Sequence, residues 1–232
     1  MAAPGAPSTP PPGRADRTVG SVVATATAGP LRHGYGPVRH QLLGLVVVTG
    51  DGTVTRSGGS TARNAAGFDL VKLQVGDFGG FGVITECHLC LRGLPRADAT
   101  WVAAGERDRL VAVARRLGEW HSEAVAVELL SPELAAGADW LLAVRLVGAP
   151  DAVSDEGSRL VRAGRVEWRH LSADHAATFW IDLAYRTLSA PVSFRIGVLP
   201  DGVLDALDLV SRLRPVFDPG SRLAVPLEGT DR

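Results

Sequence analysis

Apolar positions along the chain change period several times, and each change marks an element. Leu42 to Thr49 is a continuous apolar run containing Val46, Val47 and Val48. Gly50-Asp51-Gly52 interrupts it and Thr53-Val54-Thr55 resumes, which predicts a strand, a tight Asp-Gly turn and a return strand. Gly58-Gly59 predicts a further turn, and Asp69 to Val75 a short helix. Gly82 to Leu91 alternates as a strand does, with Val83, Thr85, Cys87, Leu89 and Leu91 on one face and Ile84, Glu86, His88 and Cys90 on the other.

Beyond Leu94-Pro95 the rhythm changes. Ala99–Ala104 predicts a strand, and Leu110, Val113, Ala114, Leu117 and Trp120 form a helical stripe. Val125–Leu130 predicts a strand, after which Ser131-Pro132 opens a short helix as cap and first-turn proline. Trp140–Val147 reads as a strand, Ala152–Arg162 as a helix and Val166–Leu171 as a strand. Ser172 is placed to cap a helix carrying Ala176, Phe179, Trp180 and Leu183. Val192–Leu199 predicts a strand, and Asp201 is placed to cap a last helix with Val203, Leu204, Leu207 and Val210. Strands and helices joined by short spacers make this half an α/β or α+β layer structure. The tryptophans Trp101, Trp120, Trp140, Trp168 and Trp180 all sit at element positions, so core packing is their expected role.

Composition narrows the function classes. The chain has 232 residues, 46% of them hydrophobic, which suits one large globular domain or two small ones. Lys plus Arg total 24 against 25 Asp plus Glu, a balance that gives no electrostatic case for nucleic acid or a membrane surface. No apolar run approaches the length of a bilayer span, and no basic stretch followed by an apolar one marks a secretory signal. Two cysteines make no disulfide framework, so the cytoplasm is the expected location. Residues 1–16, with Pro4, Pro7, Pro10, Pro11 and Pro12, read as an extended, solvated tail.

Candidate chemistry is sparse. Arg17 to Pro30 joins Gly20 and Gly29 through very small side chains, which lets main chain approach a large flat ligand, although such a stretch also suits a loop or a packed strand. Gly76-Asp-Phe-Gly79-Gly80-Phe-Gly82 precedes a strand, whereas a dinucleotide-binding glycine loop follows one and opens a helix, so it reads as a sharp turn that brings Val83-Ile84-Thr85 beside a ligand ring. Cys87 and Cys90 lie on opposite faces of an extended strand, about 10 Å apart, beyond disulfide reach, and read as buried and inert. His33, His40, His88, His121, His170 and His175 show no zinc-site spacing, so no metal is expected. Arg195 is a candidate carboxylate anchor. No catalytic triad and no general base can be assigned.

Three segments together resemble a known family. They are Thr18-Val-Gly-Ser-Val-Val-Ala-Thr25 with Ala28-Gly29-Pro30, Val38 to Val48 with Asp51-Gly-Thr-Val54, and Asn64-Ala-Ala-Gly67-Phe-Asp69-Leu-Val-Lys72-Leu running on through Gly82-Val-Ile-Thr-Glu86. Their order and spacing resemble the FAD-linked oxidases of the vanillyl-alcohol oxidase (PCMH) type, most closely the FAD-binding subunit of bacterial glycolate oxidase. The resemblance is strong from Arg17 to Ala97 and mostly architectural beyond, where Phe217-Asp218-Pro219 matches a C-terminal turn. It implies an α+β fold: residues 17–97 as the second lobe of the FAD-binding domain and residues 98–232 as an α+β cap with an antiparallel sheet. It implies FAD contacts at Gly20, Ser21, Ala24, Thr25, Gly29, Gly82, Val83 and Ile84, while Asn64, Gly67 and Asp69 shape the domain.

The implied activity is flavin-mediated oxidation of a small 2-hydroxy acid, in company with other oxidase subunits. Ser21, Asp77, Gly80 and Phe81 depart from the family's usual glycine, serine, threonine and leucine, and a carboxylate at Asp77 would repel a nearby diphosphate. Nothing before Arg17 resembles the family's first lobe. The chain therefore reads as a member without that lobe, and a truncated, non-catalytic assembly subunit is the alternative.

Overall fold

The computed structural model describes residues 17–59, 69–120, 122–163, 166–188, 198, 200–209 and 224–226. The expected strand at 192–199 with Arg195, the motif positions Asn64 and Gly67, the turn at 217–219 and the 1–16 tail lie wholly or almost wholly outside these residues. The chain divides into two compact units, Met1–Leu94 and Pro95–Arg232.

The first unit is built on a three-stranded antiparallel sheet in the order β2-β1-β3, with β1 at Leu42–Val48, β2 at Val54–Gly58 and β3 at Val83–Leu89. The Asp51 turn joins β1 to β2, and its carboxylate accepts from Thr49 Oγ1 at 2.6 Å and Thr53 N at 3.0 Å. Those bonds hold the exposed Asp51 carboxyl down to about 2. Short helices α1 (Val19–Ala24), α2 (Arg32–Tyr35) and α3 (Leu70–Leu73) surround the sheet. Val23, Val38, Leu42, Leu45, Val47 and Val71 form the core, with Ile84, Cys87 and Leu89 packed against it.

That packing corrects the simple alternation expected of β3. Val46 pairs with Glu86 but Val47 pairs with Ile84, so Thr85 is an extra residue, a bulge. The bulge shifts the parity: Ile84 joins Cys87 and Leu89 on the core, and Val83 is left 68% exposed. Cys90 lies just past the end of β3, where its N–H donates to Gln41 O at 2.8 Å. Both cysteines are half-buried free thiols, and burial, then Glu86, pushes the Cys87 thiol up.

The second unit holds a five-stranded antiparallel sheet, order β7-β4-β6-β5-β8, made of β4 (Ala97–Gly105), β5 (Ala124–Leu130), β6 (Trp140–Gly148), β7 (Trp168–His170) and β8 (Ala224–Pro226). One face carries Ala103, Val127, Leu129, Leu142, Val144 and Leu146. It is covered by α4 (Arg107–Glu119), α6 (Pro150–Arg162) and a helix at 203–209. The opposite face carries Val102 and Ala143 and is covered by α7 (Ala173–Leu188) through Ala176, Phe179 and Trp180. Trp101, Trp120, Trp140 and Trp168 pack against the first of these cores, as their positions imply.

Of two expected serine caps, one needs correction. Ser131 does stand before the short helix α5 (Pro132–Ala135), but its buried Oγ caps nothing and has no partner among the described residues. Ser172 does stand as the cap of α7: its Oγ accepts from His175 N at 3.5 Å and also bonds the His175 ring at Nδ1, 2.8 Å away.

Gly157, on the buried face of α6, sits against the Trp101 indole: a β-carbon there would lie 2.3 Å from Cζ2 and 2.6 Å from Cη2. Gly157→Ala gains about 1 kcal/mol of helix propensity but drives a methyl into a packed ring, at a cost of about 1–3 kcal/mol. We expect a net loss, seen as a lower urea midpoint by tryptophan fluorescence; an unchanged or higher midpoint would contradict the packing.

Candidate functional site

The small-residue segment folds as a helix rather than as the loop or strand its composition suggests. Thr18 is extended and caps α1: its Oγ1 accepts from Ser21 N at 3.1 Å, and Ser21 Oγ donates to Thr18 O at 2.8 Å. Thr25 ends the helix and donates through Oγ1 to Ser21 O at 2.7 Å. Ala26 then turns left-handed, with φ 49°. Arg17 fastens the exit, donating from Nη2 to Thr25 Oγ1 at 2.9 Å and Thr27 Oγ1 at 3.0 Å.

The glycine-rich loop docks on the end of this helix. Gly76 N donates to Val23 O at 3.1 Å and Phe78 N to Ala24 O at 2.9 Å, satisfying carbonyls that a helix terminus leaves open. Asp77, which the sequence suggested would oppose a diphosphate, is turned inward on its own loop. Its carboxylate accepts from Gly79 N at 3.0 Å and Phe81 N at 3.2 Å. An Asp followed two residues later by Gly is a turn-forming pattern, and that signal was available in the sequence.

The two ends of the expected cofactor surface therefore meet. A β-carbon on Gly20 would lie 3.4 Å from Ile84 O and 3.6 Å from Ile84 Cβ, ordinary van der Waals contact, so α1 lies directly against the start of β3. Gly20, Ser21, Ala24 and Thr25 come together on α1 and its cap, with Ile84 against Gly20 and Gly82 and Val83 leading into it. Gly29 is set apart from this contact. It lines a small crevice with Ala28, Leu31, Arg32 and Tyr35, and a β-carbon there would meet nothing within 4 Å.

Around the Gly20–Ile84 contact, Val19 (50% exposed), Val83 and Phe78 (78% exposed) present apolar surface to solvent. Phe78, held at a left-handed φ of 55°, was not anticipated from the sequence. Unobstructed main chain flanked by exposed apolar side chains fits a flat, largely apolar ring system. Among the described residues no cluster of histidine, cysteine and carboxylate could hold a metal, and no helix is long and apolar enough to cross a membrane.

Comparison with known proteins agrees with this geometry. The family described as FAD binding domain (FAD_binding_4) matches residues 5–58. Glycolate oxidase subunit GlcE of Escherichia coli (strain K12) is 41% identical over 92 residues, which are 40% of this chain and 26% of that subunit. The mitochondrial D-lactate dehydrogenase [cytochrome] of Arabidopsis thaliana is 37% identical over 79 residues, 34% of this chain and 14% of the enzyme. Glycolate oxidase subunit GlcD of Bacillus subtilis (strain 168) is 35% identical over 89 residues, 38% of this chain and 19% of the subunit. The chain thus spans about a quarter or less of the length of these relatives.

Two crystal forms of alkyldihydroxyacetonephosphate synthase share the fold. One has a TM-score of 0.67 at 13% identity, over 85% of this chain and 45% of that one; the other has 0.60 at 15%, over 73% and 36%. Fold, matched domain and relatives converge: residues 5–58 match an FAD binding domain, and the chain is similar to PCMH-type FAD-linked oxidases, which points to FAD as its cofactor.

Proposed function

We propose that this chain is the FAD-binding part of an oxidoreductase of the glycolate oxidase type, acting in the cytoplasm on a small 2-hydroxy acid together with other oxidase subunits. The observation that carries the reading is the contact of Gly20 with Ile84, which brings two distant stretches of unobstructed main chain onto one surface. On this reading Gly20, Ser21, Ala24 and Thr25 lie along the flavin from α1, and Gly82, Val83 and Ile84 from the start of β3. Gly29 opens the adjoining crevice to the same cofactor. Bound FAD supplies the two-electron acceptor for oxidation of the alcohol carbon. The chain's own residues hold the cofactor and keep water from one side of it. Val83 contributes an apolar contact, and the inward turn of Asp77 keeps its carboxylate occupied with its own loop.

The test is retention of FAD by the purified chain, read from flavin absorbance after gel filtration, with and without added cofactor. Val83→Asp is the informative variant, because the side chain is 68% exposed and its replacement leaves the core intact. Losing the burial of one valine is worth about 1.5 kcal/mol, so we expect FAD affinity to fall about tenfold with the circular dichroism spectrum unchanged. Equal affinity in the variant would remove Val83 from the site. A chain that takes up no FAD at all would end the proposal.

A further inference from the structure

The second unit carries a cavity of its own, between α7 and the sheet face it covers. Its volume is about 200 Å³, room for about six or seven waters. The floor and walls are apolar: Val102 of β4, Leu141 of β6, Leu171 from the link between β7 and α7, and Phe179 of α7. Two cationic or proton-bearing side chains complete the lining. One is Arg169 of β7, which pairs with Val102 in register and so emerges on the same face. The other is His175, one helical turn before Phe179 and therefore on the same side of α7.

These two groups are uncommitted or pre-oriented, whereas several of the unit's other bases are engaged. Arg107, Arg115 and Arg145 each bind a carboxylate, and Arg159 lies over Trp120. Arg169 has no hydrogen-bond or ion-pair partner among the described residues. Ser172 fixes the imidazole of His175 through Nδ1, leaving Nε2 for another partner. An unpaired guanidinium at the edge of an apolar cavity calls for an anion with an apolar body. A guanidinium takes a carboxylate in a planar, two-bond fork. A bare inorganic anion would leave the Leu141, Leu171 and Phe179 surfaces unfilled.

We propose that this cavity binds a small monocarboxylate with an apolar tail, its carboxylate held by Arg169 and His175 Nε2 and its tail against Leu141, Leu171 and Phe179. The site is made of residues in the Pro95–Arg232 unit alone and is independent of the flavin reading.

The test uses the full chain, with phenylacetate as probe and phenylacetamide, its uncharged isostere, as control, followed by isothermal titration. We expect saturable phenylacetate binding with a Kd of about 1 mM or tighter and an amide at least about tenfold weaker. Arg169→Gln should reduce acid binding about tenfold or more, because only the charge-assisted fork is removed, and should leave amide binding unchanged. Arg169 is exposed, so the thermal midpoint should not move, and FAD uptake, measured in parallel, reports separately on the other unit. Equal affinity for acid and amide, undiminished acid binding by Arg169→Gln, or no saturable binding of the acid would each overturn the proposal.

Discussion

Replacing Glu128 with glutamine will stabilise the Pro95–Arg232 unit, by an amount that grows with pH. Glu128 sits in β5 and is only 4% exposed. It pairs with Ala143 of β6 on one side and Pro226 of β8 on the other, so neither neighbouring strand offers it a cation in register. The nearest base on that sheet face is Arg145, which pairs with Ala126, two residues before Glu128. Arg145 is already held by Asp98, at 2.9 and 2.5 Å. Burial alone therefore acts on Glu128, and it pushes the carboxyl from 4.5 up to about 8.

The sign follows from proton counting. Below pH 4.5 the carboxyl is protonated in the folded and unfolded states alike and gives no pH-dependent cost. Between 4.5 and about 8 the unfolded chain releases a proton that the folded chain keeps, so stability falls as pH rises, by up to about 1.4 kcal/mol per unit. Above about 8 the full penalty of about 5 kcal/mol is in place.

Glu128→Gln keeps the shape and removes the titration. All five tryptophans lie between Trp101 and Trp180, so their fluorescence reports this unit and not the other. Urea unfolding followed by that signal should show the variant's advantage increasing by about 3 kcal/mol between about pH 6 and about pH 9. An advantage that does not change with pH would mean that Glu128 is ionised in the fold throughout and has found a partner.

Glu128 also shows where reading the sequence succeeds and where it stops. The apolar runs of β1 and β5 were plain, because a strand buried on both faces reads as a short continuous apolar stretch. The α7 stripe of Ala176, Phe179, Trp180 and Leu183 was equally plain. What alternation cannot carry is a change of register. The extra residue at Thr85 reversed the expected faces of Val83 and Ile84, and nothing in Val-Ile-Thr-Glu announces a bulge, since each of those side chains suits either face.

The Val19–Ala24 helix failed for a different reason. Gly20, Ser21, Val22 and Val23 are poor helix formers, and the helix exists because Thr18 caps it and because its last carbonyls receive the N–H groups of Gly76 and Phe78, more than fifty residues away. Tertiary bonds outweighed local preference. The resemblance of motifs does not depend on this reading, because it rests on which positions stay small and not on the element they form. The cavity at Arg169 and His175 was invisible for the same kind of reason: β7 and α7 contribute one polar group each, and only the register of β7 on β4 brings them together.

Gly82→Ala should unfold the edge of the first unit and abolish FAD uptake together. Gly82 has a φ of 146°, a region that side chains rarely tolerate. A β-carbon there would lie 2.5 Å from Val48 O and 2.8 Å from Val47 Cγ1, inside the end of β1. The obstacle is main chain, which cannot rotate aside as a side chain can. Relief requires parting β3 from β1 at Val83 and Val48, the pair that closes the ladder. Backbone strain and overpacking of about 1–3 kcal/mol each apply at once. A core as small as that of Val23, Val38, Leu42, Leu45, Val47 and Val71 has little to set against them.

Movement of β3 also carries Ile84 off Gly20, which dismantles the proposed flavin surface. Gly79 separates the two effects. It shares the loop and has a left-handed φ of 80°, yet a β-carbon there approaches nothing closer than 3.8 Å. Gly79→Ala therefore bears the backbone term alone, about 1 kcal/mol, and should keep its FAD. Hydrogen exchange read by mass spectrometry over residues 42–48 and 83–89 should show protection lost in Gly82→Ala and retained in Gly79→Ala, with flavin absorbance following the same order. A Gly82→Ala chain that keeps both its protection and its flavin would show that β1 and β3 are not locked together at this glycine. A chain that loses protection but keeps its flavin would place the cofactor away from the Gly20–Ile84 surface.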